Sequence, residues 1–145
     1  GGGNTAMDCC RSAVRLGADK VTVTVRSPRR VMKASDWELD DAEHEGIPIL
    51  DNHAPKAFVV ERGKLTGVTF EKQIETGVDG KGRPVLKGTG ELVTIPCDDV
   101  LMDPEGSATA SYFSVIVPGS VSRVPAGVTI CALMSLNGGR IEKTE

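Results

Sequence analysis

The first six residues, Gly1-Gly2-Gly3-Asn4-Thr5-Ala6, constrain this chain more than any other stretch. Gly1-x-Gly3-x-x-Ala6 runs straight into a helical pattern, and that pattern runs into the β-branched "KVTVTV". Glycine turn, helix, strand is the order found in a dinucleotide-binding unit. Each residue type has a physical reason. Gly1 permits the tight turn, Gly3 lets the backbone approach a diphosphate with no Cβ in the way, and Ala6 keeps the helix close to the sheet. The helix start then offers free N–H groups and a partial positive charge to the phosphates. A turn of this kind follows a strand, so the expectation is a fragment of a domain, lacking its first strand.

The spacing predicts a helix over 4–16, with Ala6, Cys9, Cys10, Ala13 and Leu16 as its apolar face and Arg11 and Arg15 off it. Gly17 is placed to stop that helix in the left-handed conformation. Residues 20–25 alternate as a strand, Val21, Val23 and Val25 on one face and two threonines on the other. "RSPRRVMKA" reads as a loop. "SDWELDDAEHEG" reads as a second helix, with Ser35 and Glu38 as a capping box and Gly46 at its end. A strand is expected over 47–50, which Pro48 weakens or places at an edge.

From Pro55 the pattern turns antiparallel. "KAFVVE" and "LTGVTFEKQ" flank the short hairpin connection "RGK". "ETGVDGKGRP" is expected to be an exposed polar loop, and "ELVTIP" and "CDDVLM" supply further strands. The fold class is therefore α/β: a Rossmann-like, three-layer domain with an antiparallel β-meander. Residues 102–145 shift in composition toward Ser, Ala, Val and Gly and carry no assignment.

Composition excludes several functions. A net charge of -3 gives no basic surface for nucleic acid. No apolar run approaches the roughly 20 residues of a membrane span, and no signal peptide opens the chain, so a soluble, cytoplasmic protein is expected. With aromatic residues at 3%, the core must rest on Val, Leu, Ile and Ala. Cys9, Cys10, Cys97 and Cys131 lack metal-ligand or redox spacing and read as small packing residues. His44 and His53 read as surface and turn residues, "DWELDDAEHE" as a solvated helix face rather than a metal site, and Trp37 as core packing.

The second functional feature lies just past the first strand. A dinucleotide without a 2′-phosphate is usually met there by Asp or Glu. Here Arg26, Arg29 and Arg30 stand instead, and guanidinium groups can bind a 2′-phosphate through paired hydrogen bonds. That favours NADP(H); a solvated basic loop would leave NADP against NAD open.

"GGGNTAMDCCRSAVRLGADKVTVTVR", with "MKAS", "DAEHEGIPI", "LTGVTFEK" and "CDDVL" following in order, closely resembles the NAD(P)H-binding domain of FAD-dependent oxidoreductases of the pyridine nucleotide-disulphide type. The resemblance is to the small subunit of glutamate synthase and to flavin subunits associated with formate dehydrogenases and hydrogenases, and it covers residues 1–101. It implies that hydride passes from NAD(P)H to FAD, bound by another domain of the full-length protein, and then through iron–sulfur clusters to a catalytic partner subunit. It further implies that Gly1, Gly3, Asn4, Thr5 and Ala6 shape the pyrophosphate site, that Arg26 meets the adenosine ribose or its phosphate, and that Asp98 and Asp99 are strand-entry residues rather than a catalytic pair. The family often has a second arginine directly after the first. This chain has Ser27 there, with Arg29 and Arg30 as substitutes. A non-catalytic nucleotide-binding or interaction module, or an inactive truncated fragment, are the alternative readings.

Overall fold

Strand β1 (Lys20–Val25) is buried from Val21 to its end on both faces, as an inner strand of a parallel sheet must be. The computed structural model describes residues 3–103, 129–134 and 142–144. Thr22 and Thr24 are as buried as the three valines, so β1 is covered on both sides.

Helix α1 (Asn4–Arg15) packs beside β1 through Ala6, Met7, Cys10 and Ala13. The expected apolar face is corrected at two positions: Cys9 and Leu16 are exposed, while Met7 is fully buried and Val14 partly so. Helical geometry explains the change. At about 100° per residue, Ala6, Met7, Ala13 and Val14 all fall within roughly 60° of Cys10, whereas Cys9 and Leu16 lie about 100° or more away. Gly17, at φ 103, ends the helix as expected. Its N–H donates to Val14 O and that of Ala18 to Ala13 O, the paired bonds of a Schellman stop.

Helix α2 (Asp36–His44) lies beside α1 and buries Leu39, Ala42 and Glu38. The expected capping box does not form. Ser35 sits at the N-cap, but its side chain makes no capping bond. Glu38 is drawn across to α1, where Arg11 Nη1 donates to its carboxylate at 3.3 Å. A guanidinium that also reaches Asp41 and Glu45 outcompetes a lone backbone N–H for that carboxylate. Trp37 is also corrected: it is 61% exposed, outside the core.

Strand β2 (Ile49–Leu50) pairs parallel to β1. It is shorter than expected because Pro48 has no N–H, although its carbonyl accepts from Val23 N. Strand β6 (Asp99–Asp103) begins at the expected acidic pair, and β7 (Thr129–Met134) lies between β1 and β6, parallel to both. The sheet order is β2-β1-β7-β6. It matches the 3-2-1-4 order of one half of a dinucleotide-binding fold, with β7 in the position of strand 1.

The second sheet holds β3 (His53–Glu61), β4 (Lys64–Val78) and β5 (Pro84–Pro96) as an antiparallel meander, with β8 (Glu142–Thr144) parallel to β3. Arg62 and Gly63 form the β3–β4 turn at φ 50 and 78, and two consecutive positive φ values define a type I′ hairpin. The expected loop over 75–84 is corrected to a shorter turn over 79–83. Asp79 closes it by accepting the backbone N–H groups of Lys81 and Arg83 at 2.8 and 2.9 Å. Val68, Phe70, Cys97 and Val100 form the core beneath this meander. Among the described residues, no helix is long and apolar enough to cross a membrane.

Candidate nucleotide site

In open α/β sheets, ligands bind outside the carboxyl ends of the strands. Three segments meet at that edge. One is the start of α1, which runs antiparallel to β1. The second is the loop leaving β1 at Arg26. The third is Asp51-Asn52 after β2. Asn4 Oδ1 accepts the backbone N–H of Ser35 at 3.1 Å, tying the start of α1 to that of α2. Asp51 Oδ2 accepts Arg29 N–H at 3.0 Å, and Asn52 N–H reaches Ser27 O. Asn52 has φ 56, a left-handed conformation uncommon outside glycine, and its carbonyl accepts Gln73 N–H from β4. The arginine loop is thus held to both sheets.

The start of α1 is open. Gly3 occupies the N-cap, no side chain caps the helix, and no acidic residue stands in its first turn. A Cβ added at Gly3 would meet nothing within 4 Å. Asn4 and Thr5 are exposed and Ala6 is buried against the sheet, in the sense the fingerprint requires. Gly1 lies outside the described residues. Nearby, the Ser35 hydroxyl is buried and has no hydrogen-bond partner among the described residues. Open space at Gly3, uncapped amides and an orphaned hydroxyl fit an anionic ligand that brings its own acceptors.

The three arginines separate sharply. Arg26, half-buried at the end of β1, makes no ion pair among the described residues. Arg29 forks onto Glu43 of α2, its Nη1 and Nη2 donating to the two carboxylate oxygens at 2.6 and 3.0 Å. That hydrogen bonding holds the Glu43 carboxyl below the usual range and raises the guanidinium further. Arg30 donates to both oxygens of Glu75 on β4, at 2.5 and 2.6 Å. Glu43, Asp51 and Glu75 were not legible in the sequence. Their partners stand 14, 22 and 45 residues away, and no local pattern marks them.

Other candidates fall away on geometry. Burial pushes the Cys10 thiol up to about 11, so it stays protonated and unreactive. His44 is exposed and bonds its own helix at Asp40 O, while His53 bonds Asp51 O and packs edge-on against Phe70. Among the described residues no group of His, Cys, Asp and Glu is arranged to hold a metal ion.

A parallel sheet in 3-2-1-4 order, with the N-cap of α1 at its carboxyl edge, defines a Rossmann-like α/β protein. The chain belongs to the pyridine nucleotide-disulphide oxidoreductase family, whose model matches residues 1–79. It is 38% identical over 104 residues to the NADPH-Fe(3+) oxidoreductase subunit beta of Geobacter sulfurreducens, covering 70% of this chain and 15% of that protein. It is 40% identical over 103 residues to the NADP(+)-dependent formate dehydrogenase subunit beta of Moorella thermoacetica, covering 70% and 14%. The glutamate synthase [NADPH] small chain of Escherichia coli is 37% identical over 106 residues, covering 70% and 22%. The stretch matched is thus at most about a fifth of the length of these relatives.

Proposed function

We propose that residues 1–101 are the NAD(P)H-binding part of a flavin-dependent oxidoreductase. The observation that carries the reading is the uncapped start of α1, with open space at Gly3, at the carboxyl edge of the parallel sheet. Gly1 and Gly3 form the turn that admits the pyrophosphate. The backbone N–H groups of Asn4 and Thr5 donate to its oxygens, and Ala6 keeps α1 seated so that those donors stay aimed. Arg26, which makes no ion pair among the described residues, donates to the adenosine ribose or its 2′-phosphate. When bound, the nicotinamide supplies a hydride, which this reading sends to FAD on a neighbouring domain and on to iron–sulfur clusters of a partner subunit. The relatives named for NADPH or NADP(+) support the cofactor class.

No side chain of the site need act as nucleophile or general base, because hydride transfer is carried by the cofactors and the protein sets their geometry. The test is a titration of the protein with NADPH and with NADH, followed by the fluorescence of its single tryptophan, Trp37, in the first turn of α2. Saturable binding supports the reading, and absence of binding to either contradicts it. A flavin that co-purifies would separate redox work from a binding module.

A further inference from the structure

Arg29 and Arg30 stand on the same loop as Arg26, one short 3-10 turn further on, Arg29–Val31. Three nearby guanidinium groups would ordinarily make a strong site for a doubly charged phosphate. Here two of them already hold a carboxylate, Arg29 through Nη1 and Nη2 onto Glu43, and Arg30 through Nη2 alone onto both oxygens of Glu75. The anchors come from different parts of the fold, Glu43 from α2 and Glu75 from the meander. A third contact, from Arg29 N–H to Asp51, fixes the loop backbone that both arginines share.

We infer that Glu43 and Glu75 are specificity-determining residues of the adenosine site: by occupying Arg29 and Arg30, they leave Arg26 as the one guanidinium of these three for a 2′-phosphate and so limit the preference for NADP over NAD. This rests on the reading of the site given above. A carboxylate and a 2′-phosphate compete for the same fork of donors, since both present paired anionic oxygens to a planar guanidinium. The ion pairs are solvent-exposed on both partners, so each is a weak competitor. Removing Glu75 therefore releases Arg30, and removing Glu43 leaves Arg29 with only the longer contact to Asp40 at 3.8 Å, in neither case breaking the fold. The loop stays where Asp51 and Asn52 hold it.

The experiment uses the full chain and two probes that differ only in the group at issue, adenosine 2′,5′-bisphosphate and adenosine 5′-monophosphate. The readout is the ratio of their dissociation constants. Glu43→Gln and Glu75→Gln should each raise the preference for the bisphosphate by about two- to fivefold, the weight of one exposed ion pair. Adding Arg29→Met to the first or Arg30→Met to the second should return the ratio to that of the unaltered protein. General damage to the site would move both probes together and leave the ratio unchanged. Nucleotide binding with a ratio unmoved by both substitutions, or a gain that survives loss of the arginine, overturns the inference and leaves the nucleotide site standing. If the unaltered protein binds neither probe nor either dinucleotide, the site reading itself fails and takes the inference with it.

Discussion

Gly3 and Arg26 carry opposite halves of the site, and each can be tested alone. At Gly3 the backbone is extended, at φ -93, and a Cβ meets nothing within 4 Å among the described residues, so Gly3→Ala should fold with an unchanged melting temperature. The same Cβ would stand in the path of the diphosphate. NADPH and NADH affinities should both fall by about tenfold or more, at least about 1.4 kcal/mol. Equal affinity in a folded variant would mean that the diphosphate lies elsewhere. Arg26→Glu should instead separate the cofactors, weakening NADPH by about 1.5–3 kcal/mol for one charge-assisted bond while NADH changes little. An equal loss for both, measured by the same titration, would remove Arg26 from the 2′-phosphate. The places of Gly3 at the start of α1 and of Arg26 at the end of β1 were legible because both belong to a local pattern, glycines before a helix and a side chain at the end of the next strand. The fate of Arg29 and Arg30 was not legible, because the carboxylates that engage them come from other elements.

Between elements, the firmest polar link joins α1 and α2. Arg11 contacts Glu38, Asp41 and Glu45 at 3.3, 3.3 and 2.7 Å, and Arg15 adds a second bond to Glu45. Of these carboxylates Glu38 is buried, and a buried carboxylate left without its partner is destabilising. Arg11→Met should therefore lower the melting temperature clearly more than Arg15→Met, whose side chain is 62% exposed. Equal effects would show that the contact adds nothing beyond surface charge. This link also explains why the Ser-x-x-Glu pattern was legible as a helix start and misleading as a capping box: the sequence marks where α2 begins, but not that Arg11 claims the glutamate. Propensity and alternation located β1, the β3–β4 hairpin and both helices. They understated β4 and β5, whose outer halves hold few apolar residues and are kept extended by ladder bonds and by the Asp79 turn. Strand β7 had no expected counterpart, because it lies within residues 102–145, which carried no assignment.

Across the whole molecule, charge pairing sets the response to acid. Hydrogen bonds from Arg29, Arg11 and Lys56 hold the carboxyls of Glu43, Glu45 and Glu71 below their ordinary range, and backbone N–H groups of the 79–83 turn do the same for Asp79. Groups depressed on folding stabilise the native state above their unfolded pKa and lose that contribution as pH falls through the folded one. Asp99 is shifted upward by burial and by Asp98, and it acts with the opposite sign, its strain relieved on protonation. With four depressed carboxyls against one raised among the described residues, unfolding free energy from denaturant titration should be level near neutrality. It should then fall once pH drops below about 4.3, the unfolded value for Glu. Stability that rises on acidification would contradict these assignments. The central claim, that the open start of α1 receives a diphosphate, is tested most directly by amide-resolved NMR during titration with NADPH. The account predicts saturable shifts concentrated at the Gly3, Asn4 and Thr5 amides, accompanied by Ser35 across the Asn4 link. Saturable binding that leaves these four amides unmoved while others shift would contradict it.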